Sequence, residues 1–159
     1  MIDVTANTPL DRKGLNGNVI FIDTENTFRS ERIFQIAEHR GISEPDEILR
    51  QIYICKIYNT SHLEMIIQDL GKSIEEYRAK LVIVDSIALH RAEFIGRGTL
   101  AERQQRLNIM LSRLAEVHNI AVVVTNQVQS QPDDFSAGRD GLRAAEETLW
   151  GMQPRTEFF

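Results

Sequence analysis

Three polar side chains of this sequence each stand at the end of a short apolar segment, and their types suit phosphate chemistry. Glu25 and Asp85 are carboxylates, and Gln127 is a neutral amide. A carboxylate can hold Mg²⁺ or orient a water molecule for attack on a phosphoryl group, and an amide can contact a phosphate oxygen. Asp85 ends the stretch "LVIVD", which has the form of a Walker B aspartate beside nucleotide phosphates. Together the three residues predict a site for metal-bound phosphate.

Each of these residues also has a plain structural interpretation. An Asp that ends a strand often forms a turn, and Gln127 could cap its own loop. Glu25 could instead interact favourably with the dipole of the helix that follows it. The residues alone leave both interpretations open.

Four runs rich in Val and Ile predict the strands that position these side chains, at 19–23, 51–58, 81–85 and 121–125. Three of the runs are continuously apolar, which is typical of a parallel sheet covered on both faces. Ligands bind at the carboxyl ends of the strands in such a sheet. We therefore expect the polar strand ends to meet along one edge.

Helical segments separate the predicted strands. The first is expected to start at Ser30 and stop at Gly41, and the second to cover 45–51. The third and fourth are expected to start at the capping-box pairs Ser61–Glu64 and Thr99–Glu102. Strand, helix and strand alternate three times, which predicts an α/β fold: a three-layer αβα arrangement with a mainly parallel sheet.

The composition predicts one soluble, cytoplasmic domain. The chain has 159 residues, of which 42% are apolar and 26% charged, and it shows no targeting or membrane segment. The net charge of -5 argues against a general polyanion binder. The single cysteine, Cys55, is interpreted as core filler, and the scattered histidines predict no zinc site. We expect an irregular lead-in at 1–18, a core at 19–135 and a tail at 136–159, with one helix over 140–149.

Four stretches carry a more specific signal: "IDTENTFRSER", "VDS", "RAEFIGRGTLAERQQRLN" and "NIAVVVTNQV". In this order they resemble the ATPase core of the RecA/RadA family of homologous-recombination proteins, and their sequence is most similar to archaeal RadA and its eukaryotic relatives. The resemblance covers about Pro9 to Phe135. It implies a RecA-like P-loop NTPase core that acts in DNA recombination and repair, with ATP and Mg²⁺ as cofactors and single-stranded DNA as a partner for strand exchange.

The resemblance also implies a role for individual residues. Glu25 matches the catalytic glutamate that activates water, and Asp85 matches the Walker B aspartate that holds the metal. Arg32 matches an arginine that lies against the adenine base, and Gln127 matches the glutamine that reports the γ-phosphate to the DNA-binding loops. The first DNA-binding loop and the helix after it are matched by Arg91, Arg97 and Arg103. The alternative for the three arginines is a solvated surface.

No stretch of the sequence reads GxxxxGK followed by Ser or Thr. The tripeptide at 71–73 imitates the end of that motif, but Ile66 stands where the first glycine belongs. P-loop amides and lysine supply most of the affinity for the β- and γ-phosphates. We therefore expect a RecA-like core truncated at both ends, which does not hydrolyse ATP autonomously.

The family strand order is 51–58, 19–23, 81–85 and 121–125, with the P-loop strand next to the last. Without a P-loop strand, the 121–125 strand is expected at an open edge of the sheet. Open edges predict self-association or docking on a full-length recombinase. The alternative to an ATPase core is accordingly a non-catalytic recombinase paralogue, or an interaction module that docks on a full recombinase.

Overall fold

A four-stranded parallel sheet forms the centre of the first part of the chain. The computed structural model describes residues 16–42, 44–87, 100–126, 128–129 and 143–144. Its strands are β1 (Asn18–Asp23), β2 (Ile52–Lys56), β3 (Ala79–Asp85) and β4 (Ala121–Val124). They pair in the order β2-β1-β3-β4, and every pair is parallel. The four predicted strands and their expected order are confirmed.

The register of these strands brings the polar strand ends together. Asp23, the last residue of β1, lies opposite Lys56 of β2 and Asp85 of β3. The backbone then continues the pairing past the strand ends, because Thr24 N–H donates to the Asp85 carbonyl and Thr125 N–H donates to the Val84 carbonyl. The carboxyl ends of β1, β3 and β4 therefore form one edge, as the sequence predicts.

Within the described residues, four helices connect the strands: α1 (Ser30–His39), α2 (Pro45–Arg50), α3 (Thr60–Glu76) and α4 (Leu100–His118). The first two pack on one face of the sheet, where buried side chains of both helices meet β1 and β3. The other two pack on the opposite face, around Leu63, Ile67, Leu107 and Leu111. This arrangement confirms the three-layer α/β prediction.

Two of the predicted helix starts are wrong. The N-cap of α1 is Arg29, which makes no side-chain cap hydrogen bond, so Ser30 is the first helical residue rather than the cap. The N-cap of α3 is Asn59, whose side chain accepts a 2.8 Å hydrogen bond from His62 N–H, so the Ser61–Glu64 pair is not the capping box. Thr99, the expected cap of α4, lies outside the described residues.

The predicted stop of α1 at Gly41 is confirmed. Gly41 has φ of +67°, which glycine adopts without steric cost. Its N–H donates to the Glu38 carbonyl and Ile42 N–H donates to the Ala37 carbonyl, which is the Schellman pattern. The polypeptide thereby turns out of the helix with its last carbonyls satisfied.

The outer strands of this sheet are β2 and β4, within the residues that the structure describes. On β2, Tyr53 and Ile54 are exposed while Cys55 is half-buried against the core. Burial raises the pKa of the Cys55 thiol, so the thiol stays protonated and unreactive near neutral pH. On β4, Val122 and Val124 are half-buried against the α3–α4 face. The predicted edge position of β4 is confirmed for the described part of the chain.

A second compact unit comprises Asn126–Phe159, after the first at Met1–Thr125. It contains a two-stranded antiparallel sheet of β5 (Val128–Gln129) and β6 (Arg143–Ala144). The prediction of a helix over 140–149 is wrong at Arg143 and Ala144, because these two residues pair with β5 as a strand.

None of the helices in the described part of the chain has the length and hydropathy that crossing a bilayer requires.

Candidate functional site

Asp23 builds the loop that follows β1. Its side chain is only 1% exposed. One carboxylate oxygen accepts hydrogen bonds from the N–H groups of Glu25 and Thr27, at 3.2 and 3.1 Å, and the other accepts from Phe28 N–H at 3.1 Å. A buried carboxylate needs such donors to offset its lost hydration. Asp23 therefore does not face a ligand at the sheet edge, although it ends the first strand, because its partners are the backbone amides of its own loop.

A threonine joins this loop to the end of β3. Thr24 Oγ1 accepts a 2.8 Å hydrogen bond from Ser86 N–H and donates a 2.9 Å hydrogen bond to the Ser86 carbonyl. Ser86 is buried, with 4% of its surface exposed. One hydroxyl thus satisfies both backbone groups of Ser86 and fixes the β1 loop against the β3 loop, 62 residues apart in sequence.

Glu25 stands on the exposed side of the same connection. Its Oε1 accepts a 2.9 Å hydrogen bond from Ser86 Oγ. Because the Ser86 backbone is held by Thr24, this hydroxyl has a fixed position and gives the Glu25 carboxylate a defined orientation. A carboxylate held in this way at a solvent-accessible strand end can accept a proton from a bound water.

Asp85 lies next to Ser86 and completes the strand-end network, which consists of Thr24, Glu25, Thr27, Asp85, Ser86 and Thr125. Asp85 Oδ1 accepts a 2.5 Å hydrogen bond from Thr125 Oγ1, and Oδ2 accepts from Thr27 Oγ1 at 3.3 Å. Each carboxylate oxygen has two lone pairs, so each retains capacity for a metal. The peptide bond between Asp85 and Ser86 is cis.

The oxygen donors of the strand-end network fit Mg²⁺, which is a hard cation that prefers carboxylate oxygens. Within the residues that the structure describes, no group of three or more His, Cys, Asp or Glu side chains could hold a metal ion. Proteins bind Mg²⁺ through one or two carboxylates together with waters and substrate phosphates. Asp85 would supply the carboxylate here.

Comparison with known proteins adds to this geometry. A family model described as Rad51 matches residues 1–142, which is most of the chain. The chain belongs to the Rad51 family. A curated relative, the DNA repair and recombination protein RadA of Cenarchaeum symbiosum (strain A), is 46% identical over 136 residues. That alignment covers 83% of this chain and 34% of the relative, so the chain spans about a third of the relative's length.

The other residues predicted from the RecA/RadA resemblance lie in different places. Arg32 is exposed in the first turn of α1, where Nη1 donates to Gln35 Oε1 at 3.4 Å. Arg103 lies on α4, and its Nη1 is 3.7 Å from Glu64 Oε1 of α3. The structure thus brings Glu25 and Asp85 into one network, whereas Arg32 contacts a residue of its own helix and Arg103 pairs with a residue of α3. Arg91, Arg97 and Gln127 lie outside the described residues.

Ser86 and Thr24 are site residues of this Rad51-family chain that the sequence pattern did not predict. Both follow apolar strands directly, and that position was the available signal. Their short hydroxyl side chains gave no reason to rank them above the charged residues beside them. Their importance comes from contacts that span about 60 residues of sequence, which no local pattern contains.

Thr24→Val is expected to lower the free energy of unfolding by about 2 kcal/mol, because it leaves the buried N–H and carbonyl of Ser86 without partners. The matched control is Thr27→Val, which makes the same chemical change in an exposed residue of the same loop. Urea unfolding followed by circular dichroism measures both. Equal destabilisation by the two variants would show that the Thr24–Ser86 hydrogen bonds contribute no more to stability than the exposed Thr27 hydroxyl does.

Proposed function

We propose that this chain acts in DNA recombination and repair, as the part of a RadA-like, DNA-dependent ATPase core that holds the metal and orients the attacking water. The observation that carries the proposal is the strand-end network, in which Glu25 accepts from Ser86 of the loop after β3 and Asp85 accepts from Thr27 of the loop after β1. Membership of the Rad51 family and the identity to a relative named for DNA repair and recombination support it.

In this proposal, the two carboxylates have different tasks because their surroundings differ. Bound Mg²⁺ and ATP would supply the reacting phosphoryl group and the positive charge that neutralises its oxygens. Asp85 holds the metal, and the hydroxyls of Thr27 and Thr125 fix its orientation. Glu25 lies one hydrogen bond from Ser86, and orients a water and takes its proton. Two anionic side chains at one edge repel a triphosphate, so the divalent cation is needed before the nucleotide can bind.

The remaining roles extend this proposal to the nucleotide and to DNA. Arg32 contacts the adenine and Gln127 contacts the γ-phosphate, while Arg91, Arg97 and Arg103 contact the phosphates of single-stranded DNA. Self-association takes place through the edge strands β2 and β4, which have unpaired backbone groups on one side within the described residues. The proposal treats 1–159 as one partial RecA-like domain of a cytoplasmic protein.

Asp85→Asn is expected to weaken Mg²⁺-dependent ATP binding by at least about tenfold, because an amide oxygen carries no full charge for the cation. Backbone NMR of the full chain during a MgATP titration measures this, and it detects weak as well as tight binding. The wild type should shift the amide signals of Thr24, Glu25 and Ser86. Asp46→Asn is the matched control, since it removes the same charge from an exposed site on α2.

Two results would contradict the proposed site. One is that Asp85→Asn binds MgATP as tightly as Asp46→Asn does. The other is that the signals that shift belong to residues away from the carboxyl ends of β1 and β3.

A further inference from the structure

A cavity of about 230 Å³ opens between α3 and α4, apart from the strand-end network. Its lining residues are Glu64, Gln68, Arg103, Arg106, Leu107 and Met110. This volume is several times the roughly 30 Å³ that one water molecule occupies in the liquid. The cavity therefore has room for a small polar group together with its hydrogen-bond partners.

The charges around this cavity favour an anion. Its lining includes two arginines, Arg103 and Arg106, one turn apart on α4, and one glutamate, Glu64. The local balance is one net positive charge in a chain whose total is -5. Gln68, one turn after Glu64 on α3, adds an amide that can donate further hydrogen bonds.

The ion pair inside the cavity is loose. Arg103 Nη1 lies 3.7 Å from Glu64 Oε1, which is well beyond the roughly 2.7–2.9 Å of a tight charge-assisted hydrogen bond. The Arg103 side chain is 20% exposed and that of Glu64 is 35% exposed. A pair of this length that water can reach contributes little stability, so a competing anion can replace the carboxylate at small cost.

We propose that this cavity is a phosphate-binding site formed by Arg103 and Arg106, in which the Glu64 carboxylate holds the position of a phosphate oxygen until the ligand displaces it. The planar guanidinium fork matches phosphate geometry and gives two parallel hydrogen bonds. In this site Arg106 contacts the phosphate, and Glu64 weakens phosphate binding because it competes for Arg103. Leu107 and Met110 give the cavity an apolar wall beside the charged groups.

The phosphate can come from a free nucleotide or from a nucleic-acid strand, since both present the same group. The strand source rests on the proposed function, in which Arg103 contacts DNA. A phosphate site between α3 and α4 does not depend on that function. The test therefore uses inorganic phosphate, a nucleoside monophosphate and a single-stranded oligonucleotide as separate ligands.

The first measurement follows the side-chain Nε–Hε NMR signals of the arginines in the full chain. Inorganic phosphate should shift the signals of Arg103 and Arg106 at concentrations that leave Arg50 unchanged. Arg50 is a suitable control because it forms a similar ion pair, 3.8 Å from Glu47, on the exposed surface of α2. Shifts of Arg50 equal to those of Arg103 and Arg106 would overturn the proposal, whatever the chain does with DNA.

The second measurement compares Glu64→Gln with Glu47→Gln. Both variants remove one negative charge from an Arg-paired glutamate and change the total charge equally. Glu64→Gln is expected to tighten phosphate and oligonucleotide binding about three- to tenfold, whereas Glu47→Gln should change it less than about twofold. Circular dichroism verifies that both variants are folded. Equal effects of the two variants would overturn the proposal.

Arg106→Gln separates the two phosphate sources. For a strand ligand, the variant should bind the oligonucleotide more weakly, and the slope of log affinity against log salt should fall by about 0.7. If inorganic phosphate shifts the two cavity arginines but no oligonucleotide binds at low salt, the phosphate site stands with a nucleotide as its ligand. In that case it is the proposed DNA contact that fails.

Discussion

Asp23→Ala is expected to lower the free energy of unfolding by about 3 kcal/mol, because three backbone N–H groups lose the carboxylate that accepts from them. The loop itself is partly exposed, so water replaces some of these hydrogen bonds and keeps the loss below the sum of three. Urea unfolding of the full chain, followed by circular dichroism, gives the value.

The matched control for this prediction is Asp69→Ala. Asp69 is also a carboxylate with a hydrogen-bonded partner, Lys72 Nζ at 2.8 Å, but its side chain is 62% exposed. Exposed pairs of this kind contribute roughly 0.2–1 kcal/mol. If the two variants lose the same stability, the interpretation that Asp23 builds the β1 loop is wrong.

Ile22→Ala should cost a similar amount, about 3 kcal/mol within the 2–5 kcal/mol range typical of such changes. Ile22 belongs to β1, directly before Asp23, and its side chain is completely buried in the core that the sheet forms with α3 and α4. Removing three carbon atoms there leaves a cavity that the sheet cannot close without moving the strand end. The same denaturation experiment measures the loss.

Ile54→Ala provides the comparison for Ile22→Ala. It makes the same change on the neighbouring strand, where Ile54 is 44% exposed, so both variants alter strand propensity equally. We expect it to cost less than half as much, because little buried volume is lost. A cost equal to that of Ile22→Ala would contradict the assignment of the core to the α3–α4 face.

The sheet could be predicted from the sequence because its signals are strong and local. Continuous apolar runs of four or five residues, each followed by polar residues, have few interpretations other than buried parallel strands. Parallel strands bring their carboxyl ends to one edge, so the meeting of the Glu25 and Asp85 loops follows from topology alone.

The helix caps are less predictable from the sequence than the strands are. Asn59, Thr60 and Ser61 are all residues that favour N-cap positions, so propensity does not choose among them. The cap is the residue at which the chain leaving β2 enters the helical conformation, and that depends on the backbone path and not on side-chain type. Asn59 takes this position, and its side chain accepts from His62 N–H.

The finer structure of the site depends on long-range contacts that no periodicity contains. Whether a carboxylate at a strand end faces a ligand or its own backbone depends on the path of the next five residues. Asp23 and Glu25 are two residues apart and similar in chemistry, yet one is 1% exposed and the other lies at the surface. Both follow the same apolar run in the sequence, and only the folded loop distinguishes them.

The double hydrogen bond between Thr24 and Ser86 joins the loops after β1 and β3 into one rigid connection. In the proposed function, the water-orienting group and the metal-holding group are then displaced together and cannot be adjusted one at a time. A substitution that shifts one loop alters hydrolysis and cation affinity in parallel. Attempts to redesign either property should accordingly change the loops as a pair.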